Sequence, residues 1–368
     1  MSFSDLVPFV ATTVLVVEDD ATSRAELAGM VDAMDGFRVI ADAGSGYAAI
    51  RATHERTPDL VVLGMGPMDV RAIELLAFIS AESPRPVVVL VGHPQSISDP
   101  ALATVDIGNI EFVIRPTRDA NGTVLQQRLA AALDAAANAN IGGLRISRAR
   151  RAAERATRAA RRAGRAGGDV AGAPARCVVA IAASTGGPRA LIEVLPGLAA
   201  ELQAAVVIVQ HMPAGFTTYL ADRLDRTSLL HVKEARAGEL VKTGAAYLAP
   251  GGLHMALQRT AAGISITLED GEPVWGLRPA ADVLFVSVAR HYGPDTVGVV
   301  LTGMGKDGAA GLRAIRDVGG WTAVQDPSLA VVASMPRAAR PFAAVELPLD
   351  QLARAISEQV EARVRQTS

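Results

Sequence analysis

The chain contains little of what several classes of protein depend on. One cysteine, Cys177, in 368 residues excludes a disulfide framework and is typical of the reducing cytoplasm, where we expect this protein. Aromatic residues make up only 4% of the chain, which argues against a stacking platform for nucleic acid. The net charge of −2 favours neither nucleic acid nor a membrane surface as a partner. No run of about 18 apolar residues is present, so we expect no membrane insertion.

Motifs for metals and nucleotides are also scarce. The chain has no H-E-x-x-H or C-x-x-C pattern, and Lys306 is followed by aspartate where a Walker motif needs serine or threonine. GMGKDG, residues 303–308, does match the dinucleotide pattern G-x-G-x-x-G, with Asp326 at about the spacing of a ribose-binding acid. This segment comes late in its domain, however, and Asp307 would set a negative charge beside a pyrophosphate. Dinucleotide binding is the weaker alternative, and no metal site is predicted.

The residues that are present indicate two α/β domains. Half of the chain is apolar, and its length predicts about two well-buried cores. Between residues 13 and 139, short continuous apolar runs alternate with five helical stretches, which is typical of a parallel sheet covered on both faces. We therefore predict a doubly wound, flavodoxin-like domain over residues 1–140. Its strands are TVLVV, FRVIA, DLVVL, PVVVLV and EFVI.

An arginine- and alanine-rich segment follows the first domain. Residues 145–165 carry nine arginines in 21 positions, and both residue types form helices well. A basic helix could bind nucleic acid or an anionic membrane, but this one lacks a wide apolar face and aromatic residues. We predict a solvated helical linker over residues 141–175, ending in the flexible segment GGDVAGAPAR.

A second, larger α/β pattern occupies residues 176–368. AAYLAPGGLHMAL and GISITLED predict a β-hairpin inserted into it. The pattern again predicts a doubly wound parallel sheet. Its predicted strands are CVVAIA, AAVVIVQ, LLHV, TVGVVL and WTAV, and its predicted helices cover residues 188–202, 215–225, 280–291, 309–318 and 350–364.

Three strands of this second domain end beside a chemically reactive residue. Ser184 follows a strand in VVAIAASTGGPRAL, His211 follows one in VVIVQHMPAGF, and Asp307 lies in the strand-to-helix turn of VGVVLTGMGKDG. The carboxyl ends of parallel strands meet at one edge of a sheet, so these side chains should converge. A serine needs a neighbouring base, and an imidazole base needs a carboxylate to orient it. The three residues predict a catalytic triad.

Each of these residues also has a non-catalytic interpretation. Ser184 or Thr185 could cap the following helix, His211 could be a hydrogen-bonded turn residue, and Asp307 could stabilise a helix N-terminus. Their common placement at one sheet edge favours the triad over three independent coincidences.

The same edge offers groups that could stabilise an oxyanion. Glycines allow close approach of the backbone, so the N–H groups at Thr185, Gly186 or Met304 are candidate donors. His254, in LAPGGLHM, is a further candidate for the cleft.

Six motifs in the second domain resemble the protein-glutamate methylesterase of bacterial chemotaxis, the CheB family. The resemblance covers about residues 177–345 in unbroken order. It departs from the family where Ala182 replaces a usual glycine, Ala280 a usual serine, and VASMP the usual Tyr-Gly-Met-Pro. The motifs are AIAASTGGPRAL, VIVQHMPAGFT, LAPGGLHM, RPAADVLF, LTGMGKDGAAGL and QDPSLAVVASMPRAA.

The resemblance implies a reaction and a partner. It assigns Ser184 as nucleophile, His211 as base and Asp307 as the acid that orients the base. The expected substrate is a glutamate γ-methyl ester on the helices of a methylated chemoreceptor, with methanol as product, and glutamine deamidation is possible at the same site. No cofactor is implied. A non-enzymatic scaffold that binds receptors is the alternative.

The family places a phosphorylatable receiver before the esterase, and the first domain resembles one that has lost its phosphorylation site. Glu18 and Asp19 stand where an acidic pair normally binds magnesium. Gly64 stands where the phosphate-accepting aspartate should come, so no phosphoacceptor is predicted. Val91 or Gly92 stands where a threonine or serine hydroxyl usually contacts the phosphoryl group, and Arg115 replaces the usual lysine.

These changes predict a pseudo-receiver that serves as a scaffold or binds a chemosensory signalling partner. Two alternatives stay open from the sequence. Asp59 or Asp69 could accept phosphate from a displaced position, and Glu18 with Asp19 could bind magnesium weakly.

Overall fold

The protein consists of two compact units, each built on its own parallel sheet. The computed structural model describes residues 11–44, 46–66, 69–81, 83–92, 109–116, 122–138 and 172–366. The predicted α/β class with two parallel sheets is confirmed. Most of the predicted linker lies outside the described residues, and the domain boundaries at 140 and 176 stay predictions.

The first unit is a five-stranded parallel sheet with strand order β2-β1-β3-β4-β5, the order of flavodoxin-like folds. Its described elements are β1 (Thr12–Val17), α1 (Ala21–Asp32), β2 (Phe37–Ala43), α2 (Tyr47–Arg56), β3 (Leu60–Met65), α3 (Val70–Ala81), β4 (Val87–Val91), β5 (Ile110–Ile114) and α4 (Thr123–Ala137). Strands β3 and β4 are buried along their whole length, which explains why their sequences are continuously apolar. The fifth predicted helix, between β4 and β5, falls largely outside the described residues.

The second unit holds a seven-stranded, all-parallel sheet of order β14-β13-β12-β6-β7-β9-β8. Its strands are β6 (Cys177–Ala183), β7 (Ala204–Gln210), β8 (His231–Glu234), β9 (Ala245–Leu248), β10 (His254–Thr260), β11 (Gly263–Glu269), β12 (Thr296–Val300), β13 (Trp321–Gln325) and β14 (Val345–Leu347). Its helices are α5 (Gly187–Val194), α6 (Phe216–Thr227), α7 (Ala281–Tyr292), α8 (Ala309–Asp317), α9 (Ser334–Ala339) and α10 (Leu349–Gln366). The central strands β6 and β7 are buried throughout. This burial places the chain immediately after them at the carboxyl edge of the sheet.

Two predicted elements of this unit are present but were wrong in their extent. The predicted hairpin is formed by β10 and β11 alone, whereas β9 joins the main sheet in parallel between β7 and β8. The helix predicted over residues 188–202 ends at Val194 and continues only as the short 3₁₀ turn Leu195–Gly197. Pro196 explains that end, because proline has no backbone N–H to continue the helical hydrogen-bond pattern.

No helix within the described ranges is both long enough and apolar enough to cross a membrane.

Candidate active site

Ser184 is the first residue after β6, between the ends of β12 and β7. Its N–H donates to the Thr302 carbonyl at 3.0 Å. Its carbonyl accepts from the Gly187 N–H at 2.7 Å and from Gln210 Nε2 at 2.9 Å. The Oγ makes no hydrogen bond within the described part of the chain. The backbone of Ser184 is therefore fixed on both sides while its hydroxyl stays available.

Glycines around Ser184 leave the space that the serine occupies. A Cβ on Gly303 would lie 2.7 Å from Ser184 Cβ and 2.3 Å from Met335 Sδ. Gly186 has a φ of +77°, in the left-handed region, and a Cβ there would lie 2.9 Å from Val331 Cβ. Larger residues at these two positions would push into the serine turn.

His211 lies beside Ser184 because of the register between β6 and β7. Ala183 pairs with Gln210 in that register, so the next residue on each strand is Ser184 on one side and His211 on the other. The His211 N–H donates to the Ala183 carbonyl at 3.0 Å. Neighbouring parallel strands lie about 4.8 Å apart, so Ser184 and His211 are adjacent at the carboxyl edge of the sheet.

The His211 ring is bound to Asp307 through a buried hydrogen bond. Nε2 of His211 lies 2.8 Å from Asp307 Oδ2, and the two side chains are 3% and 0% exposed. An ionised carboxylate only accepts hydrogen bonds, so Nε2 carries the proton and neutral His211 keeps its lone pair on Nδ1. Nδ1 is buried and has no hydrogen-bond partner within the described residues. The ring is thus held with an unpaired basic nitrogen.

Asp307 accepts four hydrogen bonds. Besides that of His211, its carboxylate accepts the N–H groups of Ala281 at 2.6 Å, Asp282 at 2.9 Å and Gly308 at 3.0 Å. Burial raises the pKa of Asp307, but the hydrogen bonds from His211 and from the two helix N–H groups outweigh it, so the pKa lies below its ordinary value. The environment keeps Asp307 ionised.

Asp307 does stabilise a helix N-terminus, as its non-catalytic interpretation predicts, but at an unexpected helix. Asp307 precedes α8, yet its carboxylate binds the first two N–H groups of α7. The residue before α7, Ala280, provides no side-chain cap. Asp307 therefore supplies that cap from another part of the chain, and it contacts His211 at the same time.

The candidate oxyanion donors differ in their availability. The backbone N–H groups of Thr185 and Met304 make no hydrogen bond within the described residues, whereas His254 is fully engaged. Its Nδ1 accepts from the Ala280 N–H at 3.2 Å and its Nε2 bonds the Glu272 carbonyl at 3.0 Å. His254 is thus a buried support for the loop before α7 with no free ring N–H for the cleft.

The dinucleotide alternative for residues 303–308 loses its structural basis. The Gly308 N–H at the start of α8 already donates to both Asp282 Oδ1 and Asp307 Oδ1, each at 3.0 Å. Asp326 accepts from the N–H and hydroxyl of Ser328 at 2.8 and 2.7 Å, which closes a local turn. The helix N-terminus that would bind a pyrophosphate is occupied by carboxylates.

Sequence reasoning missed several residues that build this edge. Gln210 Nε2 bonds the Ser184 carbonyl, and the Thr302 hydroxyl donates to the Thr185 carbonyl at 2.9 Å. Asp282 accepts a partly buried hydrogen bond from Trp275 beside Asp307. Asp282 lies within the RPAADVLF motif, which marked it as a residue of interest. The motif alone does not predict which groups Asp282 contacts.

Comparison with known proteins identifies the family. Residues 179–356 match the CheB methylesterase family, and residues 14–125 match the response regulator receiver domain. The protein-glutamate methylesterase/protein-glutamine glutaminase of Pyrococcus horikoshii is 34% identical over 95% of this chain and 93% of its own. The chain belongs to the CheB methylesterase family. A Rhodopseudomonas palustris relative of the same name, numbered 3, is 37% identical over 93% of this chain and 94% of its own.

The matched family model and the curated relatives confirm the family resemblance of the six motifs. Among solved structures, the CheB methylesterase catalytic domain of Thermotoga maritima is 40% identical and covers 50% of this chain and 97% of its own, with a TM-score of 0.49. CheB methylesterases are enzymes, and these relatives give the non-enzymatic scaffold alternative no support.

In the receiver-like unit of this CheB family member, an ion pair fills the space beside Gly64. Arg115 Nη2 donates to Glu18 Oε2 at 2.7 Å, and the Glu18 side chain is only 15% exposed. A Cβ built on Gly64 would lie 2.1 Å from that same Glu18 oxygen and 3.3 Å from Arg115 Nη2. The Glu18 and Arg115 side chains therefore occupy the space in which a side chain at Gly64 would lie.

The other acidic residues of this unit lie in different environments. Asp19 binds Arg71 at 2.8 Å. Asp59 precedes β3, at the opposite end of the strand from Gly64, and accepts from the Thr13 N–H and hydroxyl at 2.9 and 2.6 Å. Asp69 accepts from the Ala72 N–H at 3.0 Å and caps α3. Neither Asp59 nor Asp69 replaces a carboxylate at Gly64.

Within the described ranges, no group of three or more histidine, cysteine, aspartate or glutamate side chains is arranged to hold a metal ion.

Proposed function

We propose that this protein hydrolyses glutamate γ-methyl esters on the helices of methylated chemoreceptors and releases methanol. One observation carries the chemistry: His211 donates to Asp307 at 2.8 Å and keeps an unpaired Nδ1 at the strand end next to Ser184. Membership of the CheB methylesterase family supports the substrate. The names of the relatives include a glutaminase activity, so we include glutamine side chains as substrates, with ammonia as the leaving group.

In the proposed mechanism, Asp307 fixes the His211 ring and Nδ1 of His211 removes the proton of Ser184. The Ser184 oxygen attacks the ester carbonyl, and the resulting imidazolium is stabilised by the Asp307 charge. The tetrahedral intermediate collapses as His211 returns the proton to the departing methoxide, which leaves as methanol. A water molecule, deprotonated by the same nitrogen, then hydrolyses the acyl-enzyme to the glutamate carboxylate. Water is the only co-reactant, so the reaction needs no cofactor.

The oxyanion of the tetrahedral intermediate is stabilised, in this proposal, by the backbone N–H groups of Thr185 and Met304. The residue after a nucleophilic serine on a strand-to-helix turn commonly supplies one such donor. Both N–H groups lie beside Ser184 or the adjoining loop, and neither is used by another described group. Gly186 contributes the left-handed turn that this arrangement requires.

The receiver-like unit, in this proposal, is not phosphorylated and binds a signalling partner instead. Gly64 offers no carboxylate for an acyl phosphate, and the Glu18–Arg115 pair fills the adjacent space. The Arg115 guanidinium thereby competes with magnesium for the Glu18 carboxylate. We place the protein in the cytoplasm, in line with its single cysteine.

The test is methanol release from a methylated chemoreceptor cytoplasmic fragment by full-length wild type and by Ser184→Ala. We expect release by wild type and none above background by Ser184→Ala. Ser357→Ala, a serine substitution on α10, is the matched control and should retain wild-type activity. Equal release by wild type and Ser184→Ala would refute the assignment of the nucleophile. Acetyl phosphate with magnesium should leave the wild-type rate unchanged, and a clear stimulation would refute the loss of phosphorylation.

A further inference from the structure

A second buried acidic group adjoins the triad residues without contacting His211. Asp282, the second residue of α7, is 9% exposed. Its carboxylate accepts three hydrogen bonds: from Trp275 Nε1 at 3.0 Å, from the Gly308 N–H at 3.0 Å and from the Gly311 N–H at 2.7 Å. All three partners are donors, which suits a carboxylate in its ionised form. Burial raises the pKa of Asp282, and the hydrogen bonds from Trp275 and Gly311 oppose that rise.

Asp282 and Asp307 cap each other's helices. Asp307 precedes α8 and binds the N–H groups at the start of α7, while Asp282 lies at the start of α7 and binds N–H groups at the start of α8. The Gly308 N–H donates to both carboxylates. Helix N-termini carry unpaired N–H groups and a partial positive charge, so the exchange compensates two buried negative charges.

Close packing of the two helices makes this exchange possible. A Cβ on Gly311 would lie 2.4 Å from Phe285 Cβ and 3.2 Å from Asp282 Cα. Only glycine lets the backbone of α8 approach α7 closely enough for the Gly311 N–H to reach Asp282. The position of the 303–308 loop, and of Asp307 within it, thus depends on the contact between Asp282 and the start of α8.

Trp275 ties the same loop from its other side. Its indole N–H donates to Asp282, and its ring lies 3.8 Å from Lys306 Nζ, in a cation–π contact with the residue next to Asp307. The ring is 52% exposed, and the backbone of Trp275 has a φ of +56°, which non-glycine residues rarely adopt. Structures keep such a conformation where surrounding contacts hold it.

We infer that Asp282 is a positioning residue for the esterase reaction, which holds Asp307 in register with His211 through the start of α8 and is itself oriented by the indole of Trp275. This inference rests on the proposed function for its kinetic consequence only. The hydrogen bond between His211 and Asp307 can be observed without any substrate.

The experiment compares full-length wild type, Asp282→Asn and Trp275→Phe by kinetics and by ¹⁵N-histidine NMR. Asp282→Asn keeps the shape but turns one acceptor into a donor facing N–H groups. We expect kcat to fall by about 10- to 100-fold and KM to stay within about twofold. The resonance of the His211 Nε2–H, assigned by its loss in His211→Gln, should shift or broaden. Trp275→Phe keeps a ring for Lys306 and should show the same changes to a smaller extent.

Matched controls separate positioning from general destabilisation. Asp225→Asn removes another hydrogen-bonded carboxylate of the same unit, which accepts from the Val232 N–H at 2.9 Å, and Trp321→Phe changes the other tryptophan. Both should leave kcat and the His211 resonance unchanged even if the melting temperature falls.

Two results would overturn the positioning role: Asp282→Asn with kcat within about twofold of wild type, or a His211 resonance that matches Asp225→Asn. If Asp282→Asn does not fold, Trp275→Phe decides by the same criteria. If wild type releases no methanol, the proposed function fails, and the resonance comparison still tests the positioning.

Discussion

The sharpest test of the triad is Asp307→Asn, because the substitution should reverse the protonation of His211. Asp307 accepts from His211 Nε2 through Oδ2 and from helix N–H groups through both oxygens. An asparagine cannot accept on both sides. If its amide nitrogen faces His211, Nε2 becomes the acceptor and the proton moves to Nδ1. The nitrogen that should deprotonate Ser184 then carries a proton.

The expected size of the effect follows from that wrong tautomer. An aspartate-to-asparagine change in a serine hydrolase triad lowers kcat by about 10,000-fold, equivalent to about 5.4 kcal/mol at 1.36 kcal/mol for each factor of ten. The measurement is kcat for methanol release at neutral pH. Asp326→Asn is the control, because Asp326 also follows a strand of this sheet but its carboxylate accepts hydrogen bonds from Ser328 in its own turn. Retention of more than about a tenth of wild-type kcat by Asp307→Asn would refute the orienting role.

The same variant should change how stability depends on pH. The pKa of Asp307 is lower in the folded protein than its ordinary value, despite burial, because of His211 and the N–H groups of α7. A lowered folded-state pKa stabilises the protein above the unfolded-state value, about 3.9, and that contribution is lost as the pH falls through the folded-state pKa. Urea unfolding should therefore show wild type more stable than Asp307→Asn at neutral pH, with the gap narrowing below about pH 4. A gap that is constant with pH would contradict this account.

Two glycine substitutions test the edges of the two sheets. Gly303→Ala would bring a Cβ within 2.7 Å of Ser184 Cβ, so we expect lower kcat and a loss of about 1–3 kcal/mol of unfolding free energy; Gly271→Ala, whose Cβ would meet only His254 Cδ2 at 3.5 Å, should be tolerated. Gly64→Asp restores a carboxylate but collides with Glu18, 2.1 Å from the new Cβ, so acetyl phosphate should still leave no hydroxylamine-sensitive acyl phosphate on the protein. Phosphorylation of the Gly64→Asp variant would contradict this expectation, because it would show that Glu18 and Arg115 move aside to admit the new side chain.

The sequence predicted the sheets well because their strands are buried on both faces. Continuous apolar runs such as Cys177–Ala183 and Ala204–Gln210 are typical of parallel strands that are covered on both faces. Strand Ala245–Leu248 was assigned to the hairpin instead, because four residues carry no periodicity and their pairing is decided by the neighbouring strands. Pro196 indicates that the helix ends near Val194, and the helix predicted over residues 188–202 does not take this proline into account.

Sequence predicted the part of the candidate site that follows from strand order, but not the part that depends on helix packing. Parallel strand ends brought Ser184 and His211 to one edge, as expected from order along the chain alone. The Asp282 contacts were beyond reach, because they depend on how closely α7 and α8 pack at Gly311. The choice posed between a catalytic and a helix-capping Asp307 was also too narrow. The carboxylate has two oxygens and enough lone pairs for both roles.

Glycine has opposite consequences at the carboxyl edges of the two sheets. At Gly303 the missing side chain leaves room for Ser184 and for the Met335 sulfur. At Gly64 the missing side chain leaves a space that Glu18 and Arg115 occupy as an ion pair. A carboxylate next to a guanidinium is stabilised by the pair itself, which supports the proposed loss of phosphorylation. If the first unit is not phosphorylated, any control that it exerts on the esterase should come from a bound partner.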